Sequence, residues 1–336
     1  MSESRPNTPS VTERTRAVAT GGPVIAIHFL GDRAAFILGE EAAMLTGPDG
    51  GLPQRVALHS GGILSAAGDG TRIVTGGDDG KVMEIDAKGA TREVFADPKK
   101  KWIDHVALGP DGATAWSAGK IVQVAAKKET KQLELSSTAG GLAFAPKGFR
   151  LAIAHYNGAS LWFPNAQAKP ETLEWKGSHL GVTVSPDARF LVTTMQESML
   201  HGWRLNDGKH MRMSGYSARV RSFGWTSDGE YLATSGSDQL ILWPFGSKDG
   251  PMGKQPTLLA PHGRRLEVVA CHPKQPVVAA GYEDGLVLLV RLGDGAEVLV
   301  HPPELDIPVT ALGWSADGAQ LAFACGDRSA GVVDLA

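Results

Sequence analysis

Cysteine is almost missing from this chain, with 2 residues in 336. That excludes the disulfide framework of a small secreted domain. Cys271 stands at the exit of one apolar strand and Cys325 near the end of another. These strands run in opposite directions, which puts the two ends on opposite faces, roughly four residues apart at ~3.3 Å each. That is beyond the reach of a disulfide, so both read as small core hydrophobes in a reducing cytoplasm. Long apolar runs are missing too, and none approaches the ~18 residues of a membrane span. So is any excess of charge: 33 basic and 36 acidic residues leave a net charge of −3. Neither nucleic acid nor an anionic membrane is then a general partner. Catalytic signatures are also absent: no Gly-x-Ser-x-Gly elbow, no Gly-x-x-x-x-Gly-Lys-Ser/Thr phosphate loop, no His-Glu-x-x-His, no Cys-x-x-Cys. Met1–Val11 is polar and rich in Pro and Ser, with no apolar core. It is not a secretory signal and is expected to be a disordered tail.

What the chain does have is one phrase that returns eight times. An apolar strand enters a polar turn of the type Ser-Pro-Asp-Gly, and a second apolar strand then runs into Gly and Asp. The turn marker falls at Asp32, Asp69, Asp111, Lys147, Asp187, Asp228, Lys274 and Asp317, with gaps of 37, 42, 36, 40, 41, 46 and 43 residues. This is the period of a four-stranded propeller blade. Phe223–Trp243 is the clearest copy and Ile25–Glu41 the most eroded. In the sixth copy the four apolar runs are Val220–Trp225, Tyr231–Ser235, Gln239–Trp243 and about Pro256–Ala260. One blade cannot bury both faces, and a ring of them leaves only short, protected edges. Asp in the turns is explained by turn capping and not by catalysis. Gly68-Asp69-Gly70 is such a turn and not a dinucleotide fingerprint, since no helix pattern follows.

These residues resemble the WD40 repeat family. Where that family ends its third strand in Trp-Asp, this chain has Ile85-Asp86, Trp162-Phe163, Trp203-Arg204, Trp243-Pro244, Val290-Arg291 and Val333-Asp334. The Asp preceding that strand appears as Asp79, Asp238, Asp284 and Asp327, and the Gly-His is retained near His262. The resemblance covers about residues 13–336 and is degenerate. Ala- and Gly-rich usage points to a bacterial member. The expected fold is all-β: a closed β-propeller of eight four-stranded blades in residues 12–336, with seven as the alternative. Thr12–Thr20 should supply the outer strand of the last blade, beside Ser329–Leu335, and close the ring. Trp225, Trp314, Phe144 and Leu108 should be equivalent core residues of four blades.

Function on such a fold is expected where loops are carried by a rigid scaffold. Loops from fourth to first strand, and from second to third, share one face, the top. The resemblance implies that first-strand starts line its mouth: here Ile25, Asp104, Leu180, Arg221, Glu267 and Thr310. Arg, Trp and Tyr carry most interface energy. The expected partner-binding residues are therefore Trp102, Asp104, Tyr156, Tyr216, Arg219, Arg221, Arg264, Arg265, Glu267 and Tyr282. This reads as a non-catalytic, monomeric scaffold that binds a protein or peptide, with no catalytic residues, no metal and no cofactor. The alternative is an accessory protein linked to a metal or small ligand through top-face groups: His59, His155, His179, His262 and His301 with Asp78, Asp79, Glu197, Asp238, Glu283, Asp284 and Asp327. His262 could instead be the family's hydrogen-bonding His, reaching towards Asp284. Lys99-Lys100-Lys101 before Trp102 reads as a solvated loop, and Phe245–Gln255 as a mobile insertion on the opposite rim.

Overall fold

The computed structural model describes residues 8–47 and 51–336, so residues 1–7 of the expected tail lie outside the described residues. The chain is an all-β propeller of four-stranded, antiparallel blades.

The recurring turn explains why each copy folds as a hairpin. In the sixth copy Thr226 Oγ1 donates to Asp228 Oδ1 at 2.6 Å, Glu230 N donates to Asp228 at 3.0 Å, and Tyr231 N donates to Thr226 Oγ1 at 3.0 Å. Ser315, Asp317, Ala319 and Gln320 repeat this set at 2.6, 3.0 and 2.9 Å. Ser185, Asp187, Arg189 and Phe190 do so at 2.7, 2.9 and 2.9 Å. The hydroxyl and carboxylate satisfy backbone N–H groups that the turn removes from the ladder.

The strands hydrogen-bond into seven sheets, six of four strands and one of six, and not the eight separate blades expected. The difference lies in the fourth and fifth copies. Tyr156 pairs with Ser178, and Gly158 with Glu174, so the runs Leu151–Trp162 and Glu171–Val184 carry pairing through both copies. The chain bends there at Asn157 (φ 67°) and Gly158 (φ 142°). Asn157 Oδ1 accepts from Gly177 N at 3.3 Å. The most eroded copy does form a sheet of its own: Val24–Leu30, Arg33–Leu38, Ala42–Leu45 and Gln54–Ala57.

The N-terminal segment pairs as expected over a shorter span. Thr15, Arg16 and Ala17 lie antiparallel to Val333, Val332 and Gly331, as the outer strand beside Ala330–Asp334. Backbone pairing also involves described residues before Thr12. Leu299 N donates to Pro9 O at 2.7 Å and Val11 N to Leu299 O at 2.9 Å, which places this segment parallel on the outer strand Glu297–His301.

Contacts divide the chain into two compact units. One comprises described residues within Met1–Gly39, Ala43–Val56 and Tyr216–Ala336; the other comprises Glu40–Ala42 and Ala57–Gly215. Within each, core clusters are shared by consecutive sheets. In the first unit Leu240 and Leu242 pack with Tyr282 and Leu288, and Val287 with Val309 and Phe323. In the second, Val74 and Val82 pack with Ile103 and Trp116, and Val122 with Ile153. Second strands such as Phe190–Met195 are buried throughout, because neighbours cover both faces.

The four expected core equivalents are only half-buried. Phe144, Trp314 and Leu108 nevertheless pack against the buried clusters. Trp314 Nε1 donates to Ala270 O at 3.0 Å, and Trp225 meets Phe245 edge-on at 4.9 Å. The fully buried tryptophan is Trp116, whose Nε1 donates to Gln123 Oε1 at 2.9 Å.

Candidate partner-binding surface

One irregularity recurs at the start of the first strands. The register slips between Val24 and Ala26, Ile63 and Ser65, Ala139 and Gly141, His179 and Gly181, Leu266 and Val268, and Val309 and Ala311. The residue left out is Ile25, Leu64, Gly140, Leu180, Glu267 or Thr310. A bulge leaves its extra residue unpaired and re-aims the side chain. Ile25 and Leu64 are 41% and 40% exposed, although apolar. Ile25, Leu180, Glu267 and Thr310 are positions that the sequence placed at the mouth. Leu64 was missed, and its equivalence to Ile25 in the repeat is the signal that could have found it.

The histidines are internal cross-links. His59 Nδ1 lies 2.9 Å from Asp79 Oδ1, and its Nε2 lies 2.8 Å from Thr75 Oγ1. Asp79 also accepts from Ser60 N and Lys81 N, at 3.0 and 3.1 Å. Burial alone would raise this carboxyl; the bonds from Ser60 and His59 outweigh it and hold it below the usual range. His262 Nε2 lies 2.8 Å from Asp284 Oδ2, as the family pattern implies. His179 bonds Thr193 and the Trp175 carbonyl at 2.7 and 2.9 Å, and His155 bonds Ser160 and the Tyr156 carbonyl, each at 2.9 Å. His301 Nδ1 lies 2.9 Å from Gly285 O. Among the described residues no three or more His, Cys, Asp or Glu form a group that could hold a metal ion. The metal alternative therefore has no support. The pairing of His59 with Asp79 was not foreseen from the sequence.

In the first unit two predicted binding residues are framework. Tyr282 is 0% exposed, and its hydroxyl donates to Ala260 O at 2.5 Å. Tyr216 lies with its hydroxyl 2.8 Å from Thr234 Oγ1 and accepts from Trp243 Nε1 at 2.6 Å. Burial raises its phenol, and neither hydrogen bond reverses that. Tyr216 thus bonds a second-strand Thr in the sixth copy as His59 does in the second. Arg265 is engaged by two carboxylates, at 2.5 Å from Glu267 Oε1 and 3.2 Å from Glu283 Oε2. Its guanidinium offers little net charge, and Glu267 is its partner in place of an independent contact. Arg264 reaches Asp306 only at 3.8 Å, with Asp306 88% exposed. Arg221 is exposed and Arg219 half-buried. The Arg265 ion pairs therefore weaken the basic edge expected there. The insertion Phe245–Gln255 is braced by its own bonds: Gly250 N donates to Ser247 O at 3.0 Å and Lys254 Nζ to Ser247 Oγ at 2.8 Å.

The remaining predicted residues, Trp102, Asp104 and Tyr156, belong to the second unit. Trp102 is 61% exposed and Tyr156 57%. Trp102 lies in the loop between Thr91–Ala96 and His105–Leu108, and Tyr156 in the strand Leu151–Trp162. Asp104 Oδ2 accepts from Gly119 N at 2.8 Å, so it fixes the turn between Thr114–Ala118 and Ile121–Ala126. A groove of about 480 Å³ opens beside Trp102, lined also by Lys101, Asp104, Gly119, Lys120 and Glu134.

Comparison with known proteins adds the following. Residues 209–243 match the family model "WD domain, G-beta repeat". This stretch runs from the outer strand His210–Met213 into the three inner strands of the next sheet. WD repeat-containing protein 1-B of Xenopus laevis is 30% identical over 82 residues, 24% of this chain and 14% of that protein. WD repeat-containing protein 1 of Gallus gallus is 26% identical over 147 residues, 41% of this chain and 24% of that protein. The matches thus span a quarter or less of those relatives. The crystal structure of the computationally designed Ika8 protein aligns with a TM-score of 0.75 at 14% identity, over 95% of this chain and 98% of that one, a likeness of fold alone. The family match is thus to one WD40 repeat, at residues 209–243, and the two relatives are similar over part of the chain.

Proposed function

We propose that this protein is a non-catalytic interaction scaffold that holds a protein or peptide partner at the loop ends of its sheets. The observation that carries this reading is the repeated bulge, which takes one residue out of the ladder at the start of six first strands. Ile25 and Leu64 gain nothing from such exposure in folding. Their frames differ little while the side chains vary, which is how a scaffold acquires specificity. WD-repeat propellers are generally scaffolds of this kind, which supports the reading by analogy. The balanced charge argues against a general pull on nucleic acid or anionic membrane, and two free cysteines suit a cytoplasmic setting.

The test is comparative capture from native cell extract. Wild type is set beside Arg219→Glu/Arg221→Glu/Arg264→Glu in the first unit, Leu64→Asp in the second, and Lys248→Glu/Lys254→Glu on the insertion. Loss of the same retained protein by a loop-end variant, with retention by the insertion variant, is expected. Equal retention by all four, or loss by the insertion variant alone, refutes the placement.

A further inference from the structure

The loop that carries Trp102 is held as firmly as a strand. Asp97 Oδ1 accepts from Lys99 N at 2.7 Å and from Lys101 N at 3.3 Å, and Lys100 N donates to Asp97 O at 3.0 Å. Lys100 sits at φ 51°, where lysine is uncommon. The absence of a side chain on Gly80 makes room for it: a Cβ there would stand 2.7 Å from Lys100 Cα. Ile103, 0% exposed, anchors the next residue in the core, and its N–H donates to Gly77 O at 3.1 Å. Trp102 therefore lies between a tied turn and a buried anchor, with its own ring in solvent. No folding role accounts for an indole so exposed, and an ordering cost already met in the free state favours binding.

The charge beside it is equally unspent. Lys81, Lys127 and Lys131 of the same unit each have a carboxylate partner. Lys99, Lys100, Lys101 and Lys120 are all exposed, and none has an ion pair among the described residues. Two of them line the groove with the indole. Glu134 also lines it, and Asp104 is occupied by Gly119. A polyphosphate backbone would meet Glu134 at every register, whereas a peptide can place its acids on the lysines and spare that edge.

We propose that this groove binds an acidic peptide segment of a partner protein, with one aromatic or large aliphatic side chain laid on Trp102 and flanking carboxylates on Lys101, Lys120 and the Lys99–Lys100 turn. This rests on the interaction reading above and names the partner's chemistry. Aromatic anchors ringed by charge are where interface energy concentrates, and the charges steer the encounter.

The probe is a random 12-residue peptide display library, followed by fluorescein-labelled copies of the enriched sequences measured by anisotropy. Enriched peptides should be acidic with one large apolar residue, and their affinity should fall as salt rises. Trp102→Ala should weaken them about 30-fold, the scale of a hot-spot residue. Lys101→Glu/Lys120→Glu should weaken them at least about tenfold, and Lys209→Glu elsewhere in the unit should not. Melting temperatures verify folding; if Trp102→Ala does not fold, the double lysine variant decides. Enrichment of basic or uncharged peptides overturns the proposal. So does dT12 binding that the lysine variant abolishes, which would make this a nucleic-acid site. If wild type and Trp102→Ala enrich the same sequences, the groove is wrong and the scaffold reading stands. If neither enriches any, both fall.

Discussion

Removing the N-terminal segment should unfasten two outer edges of the first unit in measurable steps. Deleting residues 1–11 removes the bonds Leu299 N to Pro9 O and Val11 N to Leu299 O. At about 0.5–1.5 kcal/mol net each, this costs about 1–3 kcal/mol. Deleting residues 1–20 also removes the strand Thr15–Ala17, the bond from Val18 N to Ala330 O at 2.9 Å, and the side chains of Val18 and Thr20, which are 8% and 1% exposed. Burying a valine contributes about 1.5–3 kcal/mol, and the lost strand pairing brings the total to about 5–8 kcal/mol. Ala330–Asp334 would then present unpaired backbone, a template for aggregation. Scanning calorimetry with light scattering should show a modest fall in melting temperature for the first deletion. The second should melt much lower and scatter at onset. Equal melting temperatures for full length and the 20-residue deletion would refute the idea that this strand is part of the fold.

Tyr216→Phe should cost about 1–3 kcal/mol in denaturant unfolding, because Trp243 Nε1 loses its acceptor, and leave partner capture unchanged. A loss of capture without destabilisation would restore Tyr216 to the binding surface. His201 is 0% exposed, lies 4.2 Å from the Trp175 ring in a stack, and is pushed down to about 3 by burial first and then by His210, His179 and Arg212. The unfolded chain binds this proton from about pH 6.5 downward and the folded chain does not. Stability from this group is therefore full above about pH 6.5 and is lost as pH falls towards about 3, by about 1.4 kcal/mol per unit. His201→Phe should flatten that slope in urea titrations at pH 4 to 6, and an unchanged slope would contradict it. Burial pushes the Cys271 thiol up to about 12 and that of Cys325 up to about 11. Both should resist thiol reagents at pH 8 and react only in denaturant; rapid native labelling would mean that these strands are misplaced.

The parts of the fold legible in the chain are those made by neighbours in sequence. The Ser/Thr-x-Asp turn closes on itself within five residues, so Thr226-Asp228 and Ser315-Asp317 could be read as turns at once. Their period set the number of copies and the four-stranded unit. His262 and Asp284 could be paired from the family pattern. The exposed Trp102 was visible as a residue type, but the lysine run beside it read as a solvated loop. Its carboxylate-fixed turn and groove depend on Gly77, Gly80 and Gly119, which are distant in sequence.

Residue type alone could not separate Tyr216 and Tyr282 from Trp102 and Tyr156. All four carry interface chemistry, and only packing decides whether a ring faces Ala260 and Trp243 or water. Sheet count was decided in the same way. Eight copies are written in the chain, but the pairing of Tyr156 with Ser178 joins two of them, and that contact has no signature in either copy alone. Local hydrogen-bond geometry and strand period are properties of a short stretch, so the sequence by itself determined the turns, the blade and the repeat. Burial, bulge direction and ion-pair partners are set by what a neighbouring sheet places opposite, so only the tertiary structure decided which side chains are free to bind.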